Sequence, residues 1–327
     1  MENLTDKYSR VLLKFSFNLV LFASMITLFS GCFTGIEGTK KIKLSKEDMR
    51  ASVVSDEDNL LSSVSSEKLK DWKTGKPFLV ADNKASLVFE REVVTDDDIS
   101  GETFYYDGLE QKQSLDGSLT TVIVFKNDKN EKFRYFTSKD NSKALETITS
   151  SELPFLIDID RVSQIRNILV GKKLWTVTSL WYDSDGNNVN GQKFVPVRIE
   201  DVKPGGGVFP VLISFSNQSD GNNIDSPTQY YMYMNYGGDD GGSRKFKNLF
   251  TLKDPKSIYK NISDSNWKLI QQGKVVPGMT KEECRISIGS PSDVDKGHTH
   301  STLLDIWKYS DGRVLRFADG ILVDVWR

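Results

Sequence analysis

The chain has 327 residues, 38% hydrophobic and 11% aromatic, which is enough apolar material for folded cores and excludes a wholly disordered polymer. Its 43 Lys and Arg against 45 Asp and Glu give a formal net charge of −2. No basic stripe stands out of that mixture, so nucleic acid is not an expected partner.

The first 31 residues read as a leader. Lys7, Arg10 and Lys14 precede an apolar stretch over 15–29, and the small residues Ser30 and Gly31 follow. The stretch is short for a bilayer span, which takes about 20 residues, and the layout is that of a secretory signal peptide. The run Leu28-Phe29-Ser30-Gly31-Cys32 resembles the bacterial lipoprotein box, with Phe29 where that family usually has Leu. The resemblance implies cleavage before Cys32 and acylation of Cys32, so that membrane lipid is the first expected partner. Each buried acyl methylene contributes about 0.8 kcal/mol, and two or more chains hold stably where one is marginal. Residues 33–38 contain a single acid, Glu37, which favours the periplasmic face of the outer membrane over surface export. With Cys32 acylated, Cys284 has no partner for a disulfide, so stability is expected to come from packing.

Residues 32–73 read as a flexible tether: a basic run at Thr39-Lys40-Lys41, serine-rich polar text around 55–66, and a short helix over 66–72. From 74 the sequence turns into short β-like runs. Strands are expected at 77–80, 86–90, 119–126 and 132–137, then a helix at 162–169. A second block repeats the pattern, with strands at 173–182, 194–202, 209–216 and 230–236. Each block opens on a Gly-Lys pair, Gly75-Lys76 and Gly171-Lys172, and 250–262 looks like a shortened copy of 155–168. These features predict two small tandem antiparallel β modules, 74–170 and 171–262, barrel- or sandwich-like.

Residues 263–327 predict a C-terminal α+β domain. Ser263 caps a helix ended by Gly273, and Thr280-Lys281-Glu282-Glu283 is a capping box that opens a second helix, ended by Gly289-Ser290-Pro291. Three strands follow at 303–309, 313–317 and 321–326, turned by Asp311-Gly312 and Asp319-Gly320. In this order Gly278-Met279-Thr280, Gly289-Ser290-Pro291, Trp307-Lys308-Tyr309, Phe317 and Asp319-Gly320-Ile321-Leu322 resemble the SmpA/OmlA, or BamE-like, lipoprotein domain. That resemblance covers only the last 55 to 65 residues, by the length such a module needs. It implies two helices on a three-stranded meander and a place among outer-membrane lipoproteins, some of which serve outer-membrane protein assembly and envelope integrity. The whole chain resembles uncharacterised Bacteroidales-type lipoproteins. The fold class expected is thus mostly β, with two β modules followed by a two-helix, three-strand meander.

The inventory for chemistry is thin. His298 and His300 flank Thr299 in an expected loop, with no cysteine or carboxylate cluster at metal spacing, so no metal site or cofactor is expected. Asp183-Ser184-Asp185-Gly186-Asn187-Asn188 begins like a calcium loop, but the twelfth position from Asp183 is Phe194 where a bidentate Glu is needed. Asp96-Asp97-Asp98 and Asp239-Asp240 read as solvated loops, and Lys203-Pro204-Gly205-Gly206-Gly207 lacks the ending of a phosphate loop. Cys284, between Glu283 and Arg285, reads as a core residue and not a nucleophile, so no catalytic residues are expected. The aromatic strand Tyr230-Tyr231-Met232-Tyr233-Met234 is the best binding surface, since alternation puts Tyr231 and Tyr233 on the face opposite Met232 and Met234. Trp307 and Tyr309 are further candidates for a ligand or partner surface. The function expected is that of a non-enzymatic, lipid-anchored envelope protein that binds another envelope protein; the alternative is a glycan- or peptidoglycan-binding lipoprotein using its Tyr and Trp side chains.

Overall fold

The computed structural model describes residues 55–92, 97–113, 117–217, 228–237, 244–298 and 302–327. The expected leader, Cys32, Asp96, Asp239, Asp240 and His300 lie outside the described residues. The fold is mostly β: three antiparallel sheets with short helices between them.

Helix α1 (Asp56–Leu60) leads into the first sheet, made of β1 (Pro77–Val80), β2 (Phe89–Arg91), β3 (Thr103–Gln113), β4 (Leu119–Lys126), β5 (Lys132–Phe136) and β6 (Leu156–Asp158). Helix α2 (Asn141–Thr147) lies between β5 and β6, and α3 (Ile159–Leu169) follows β6. The second sheet has β7 (Lys173–Thr176), β8 (Pro196–Pro204), β9 (Val211–Asn217), β10 (Gln229–Met234) and β11 (Phe250–Thr251), with α4 (Phe246–Leu249) before β11 and α5 (Pro255–Ile258) after it. The strand orders are β2-β5-β4-β3-β1-β6 and β10-β9-β8-β7-β11. Without β2 they are the same order. A meander runs outward from its first strand, and a last short strand returns to that strand's free side and feeds a helix. Each is an open sheet with two terminal strands, not a closed barrel.

The two sheets also share a backbone device. The Gly75 amide donates to the Tyr106 carbonyl at 2.7 Å, and the Gly171 amide to the Ile199 carbonyl at 2.9 Å. Both glycines have positive φ, +88° and +81°, where a Cβ would be strained. Each second strand bulges beside this contact, at Tyr106/Gly108 and at Ile199/Asp201. The Gly-Lys pairs of the sequence mark these two turns.

The cores follow from alternation. Phe78, Phe89, Phe104, Phe125 and Phe133 are fully buried in the first module. In the second, Val197, Ile199, Ile213, Phe215, Met232 and Met234 pack with Val162, Ile165 and Leu169 of α3, which share one face of that helix. Burying one such side chain contributes roughly 1.5–3 kcal/mol.

Of the tether expected over 32–73, residues 32–54 lie outside the described residues, and the described part, 55–73, is not a free spacer. Leu61 and Val64 are buried in the second core, and Leu69 and Trp72 in the first, so residues 55–73 belong to the folded body. Glu57 accepts from the Leu252 amide at 3.1 Å and the Thr251 hydroxyl at 2.9 Å. Close approach is possible because Gly237 has no Cβ; one would lie 2.4 Å from the Leu61 Cβ.

A buried polar cluster joins the modules. Asp158, the N-cap of α3, donates its backbone amide to the Tyr236 hydroxyl oxygen at 2.7 Å. The Arg161 guanidinium lies 4.1 Å from the Tyr236 ring and donates to Ser151 at 2.7 Å and the Gly237 carbonyl at 3.2 Å. Lys76 pairs with Asp158 at 3.1 Å and Glu67 at 3.0 Å. Burial alone would lower the Lys76 pKa, but Asp158 and Glu67 outweigh it and hold it above the usual lysine value.

The C-terminal part contains α6 (Asp264–Gln271), α7 (Lys281–Ile288) and a sheet in the order β12 (Asp293–His298), β13 (Leu303–Lys308), β14 (Val314–Ala318), β15 (Ile321–Trp326). The Ser263 cap, the Thr280–Glu283 capping box and the positive φ of Gly289 are all present. The sheet has four strands where three were expected. The extra strand, β12, is exposed along its whole length and carries Asp293, Asp295 and Lys296, so no apolar alternation announces it. The boundary also falls a little earlier than 263, because Tyr259 and Ile262 pack on the third core. Lys193 ties this part to the second module: its amide donates to the Gln271 carbonyl at 3.0 Å and its Nζ to the Ser287 carbonyl at 2.7 Å.

Candidate functional site, a serine-floored groove on the second sheet

The three longest strands of the second sheet align in rows across its outer face. Asp201 pairs with Ser214 and Ser214 with Tyr231; Lys203 pairs with Leu212 and Leu212 with Tyr233; Ser216 pairs with Gln229. The middle of these three strands, β9, thus presents the hydroxyls of Ser214 and Ser216 beside Leu212, while its neighbours present longer side chains. The result is a trough of about 350 Å³, with Ser214 in its floor, Glu200, Asp201 and Lys203 on one side, and Gln229 and Tyr231 on the other.

The bulge in β8 makes this wall. In a regular strand Glu200 and Asp201 would point to opposite faces. Here the two-residue period breaks between the buried Ile199 and the buried Val202, and both carboxylates are left half-buried on the outer side. Glu200 accepts from the Ser216 hydroxyl at 2.6 Å. Asp201 accepts from Arg166 of α3 at 2.7 Å and from the Val202 amide at 2.9 Å, and Lys203 lies 3.5 Å away. Burial would raise the Asp201 pKa, but the Arg166 and Val202 hydrogen bonds and the two cations outweigh it, and its carboxyl ionises below the usual range.

Tyr233 stands beside Tyr182, ring centroids 5.3 Å apart and nearly perpendicular. Arg244 donates to the Tyr182 hydroxyl at 3.0 Å and lies 4.6 Å from the Phe209 ring. The free side of β10 is occupied at its middle, and the chain is held again just past its end. Tyr182 and Tyr231 exchange both backbone hydrogen bonds, at 2.8 and 2.9 Å, and the Asn235 amide donates to the Arg244 carbonyl at 3.0 Å.

Of the aromatic candidates, the structure brings Tyr231 and Tyr233 together on this half-exposed face, with Met232 and Met234 buried behind them. It does not bring Trp307 or Tyr309 there. Trp307 is 3% exposed and its ring packs tilted against Phe317, centroids 4.6 Å apart, so it is core and not surface. Tyr309 is half-buried, donates its hydroxyl to the Gly289 carbonyl at 3.1 Å, and has its pKa pushed up to about 12, chiefly by burial. The alternation of β13 is clear in sequence, but it does not say which face turns inward. Arg166, Glu200, Asp201, Lys203, Ser214 and Gln229 escape sequence reasoning. The one available signal is the spacing of Ile199 and Val202, three apart inside a strand of period two.

Cys284 is fully buried, and burial together with the Glu283 charge pushes its thiol up to about 12. His298 is exposed on β12. Among the described residues no group of three or more His, Cys, Asp or Glu is arranged to hold a metal, and no helix is long and apolar enough to cross a membrane. No protein-family model, curated protein or solved structure gives a significant match to the chain.

Proposed function

We propose that this protein is a lipid-anchored, non-catalytic binding module of the bacterial cell envelope. It is held through Cys32 in the outer membrane, facing the periplasm, and takes an envelope partner on the outer face of its second sheet. The lipoprotein box in the sequence supports the anchor, and the BamE-like order of motifs in the last 65 residues supports the envelope setting. The observation that carries the binding reading is the trough beside Tyr231, where a concave surface, a half-exposed aromatic ring and polar side chains coincide. Two features favour binding over turnover. The trough's two carboxylates, Glu200 and Asp201, sit side by side on β8 and are engaged with Ser216 and Arg166, so they do not flank a bond from opposite sides as a hydrolytic pair does. The Cys284 thiol, held protonated at neutral pH, is a poor nucleophile.

The test is capture from detergent extracts with the full, processed chain. The intact protein should retain one specific envelope component, and the paired change Tyr231→Ala with Tyr233→Ala should lose it while the melting temperature stays the same. Recovery of nothing specific, or equal recovery with the paired variant, counts against the reading.

A further inference from the structure

We infer that the trough is a subsite for an uncharged, hydroxyl-rich glycan chain, a proposal that rests on the binding reading above and names its ligand class. Three observations support it. The walls carry two cations, Arg166 and Lys203, and two anions, Glu200 and Asp201, so neither sign of ligand is selected. These charges are already engaged, Arg166 with Asp201 at 2.7 Å and Glu200 with Ser216 at 2.6 Å. A charged ligand would have to break those contacts. A sugar hydroxyl, donor and acceptor at once, adds to the lone pairs that remain. Opposite them the Tyr231 ring offers an apolar surface for the C–H face of a pyranose, while the carboxylates address its hydroxyl edge.

The second observation concerns the edge. An extended peptide binds a sheet by adding a strand. At the middle of β10 that route is interrupted by the chain's own Tyr182 backbone on Tyr231, which favours recognition by side chains on the face.

The third is an internal control. By register the first sheet places Val124 where the second has Ser214, Gly108 where it has Asp201, and Arg134 where it has Tyr231. There Arg134 closes over a valine floor to reach Glu110 at 2.8 Å, and Val122 and Val124 are buried. The shared architecture therefore does not require a trough; the residues that make one are peculiar to the second sheet.

The experiment is titration calorimetry of the full processed chain in a zwitterionic detergent. The probes are chitin-, cellulose- and starch-derived oligosaccharides, with co-sedimentation on purified peptidoglycan sacculi as a second arm. Saturable binding to at least one of these is expected, insensitive to added salt because the ligand is neutral. Ser214→Val, which installs the first sheet's residue, and Tyr231→Ala should each weaken it by about tenfold or more, a modest share of any affinity. Unchanged near-UV circular dichroism shows that both variants fold. Binding to chitin oligomers and sacculi together assigns the amino-sugar strand of the wall, and binding to cellulose or starch oligomers assigns a free polysaccharide; binding to sacculi alone, whose stem peptides carry free carboxylates, counts against a neutral ligand. Binding that both variants leave intact, or that salt abolishes, overturns the inference. So does the absence of binding to every probe, and then retained capture of an envelope protein through Tyr231 and Tyr233 would show that the broader reading survives without the glycan.

Discussion

Ser214 occupies in the second sheet the register position that Val124 occupies in the first. Both are on the third strand of a meander, flanked by its second and fourth strands in the same order. One hydroxyl in place of an isopropyl group lowers the floor, and the flanking residues differ with it: a carboxylate for glycine, a tyrosine for arginine. Two copies of one architecture thus separate what the fold needs from what a site needs.

The aromatic residues should divide sharply by role. Trp307→Ala removes a buried indole from the third core and is expected to cost about 3–5 kcal/mol. Tyr231→Ala, on the half-exposed face, should stay within about 0.5 kcal/mol of the parent. Urea titration of the two variants checks this, and equal destabilisation would put Tyr231 in the core.

The joint between the modules depends on Tyr236. Tyr236→Phe takes away the acceptor of the buried Asp158 amide and should cost about 1–3 kcal/mol, the penalty for an unsatisfied buried donor. Hydrogen exchange should show the loss at the start of α3 before it shows elsewhere.

Lys76 should give the joint an alkaline limit. Its folded-state pKa is raised, so its contribution is fully present below the unfolded lysine value, near 10.5, and is lost as pH rises through the folded value. Lys76→Met leaves Asp158 without its cation and should cost about 3 kcal/mol or more at neutral pH. The gap between parent and variant should narrow only above about pH 10.5. A gap that closes below pH 9 would contradict the assignment.

The twin turns should respond alike. Gly75→Ala and Gly171→Ala each force a Cβ into positive φ and should cost about 1 kcal/mol or more, although nothing crowds either position. Thermal melts of both variants test whether the two modules use one device, and a neutral result at either would break the equivalence.

The proposed anchor makes a chemical prediction about Cys32. Processed protein should begin at Cys32 and carry acyl mass there, and Cys32→Ser should leave the chain unprocessed or released from the membrane fraction. An unmodified thiol on a mature N-terminus would contradict it.

What was legible in the sequence was local. The capping box at Thr280 and Glu283, the stop at Gly289 and the turn at Asp319-Gly320 are each set by residues within one turn of one another, and each is found where expected. Features set by distant partners were not legible. Residues 55–73 look like a tether because Leu61, Val64, Leu69 and Trp72 are spread among serines and charges, and their partners lie in two different sheets. Strand β12 is held by its backbone ladder and by ion pairs from Asp293 and Asp295 to Lys308, and its side chains have no inward face to betray it. The Tyr231 and Tyr233 face was readable from alternation, while the trough beside them was not. It depends on three strands in register and on a bulge that turns Glu200 and Asp201 to the same side.

The most direct test of the outer face as a binding surface is photo-crosslinking in cells, with one photoreactive residue placed at Tyr231 and, in a second strain, at its register counterpart Arg134. The account predicts a discrete envelope adduct from position 231 and none from position 134. Adducts of equal yield from both positions, or from 134 alone, would contradict it.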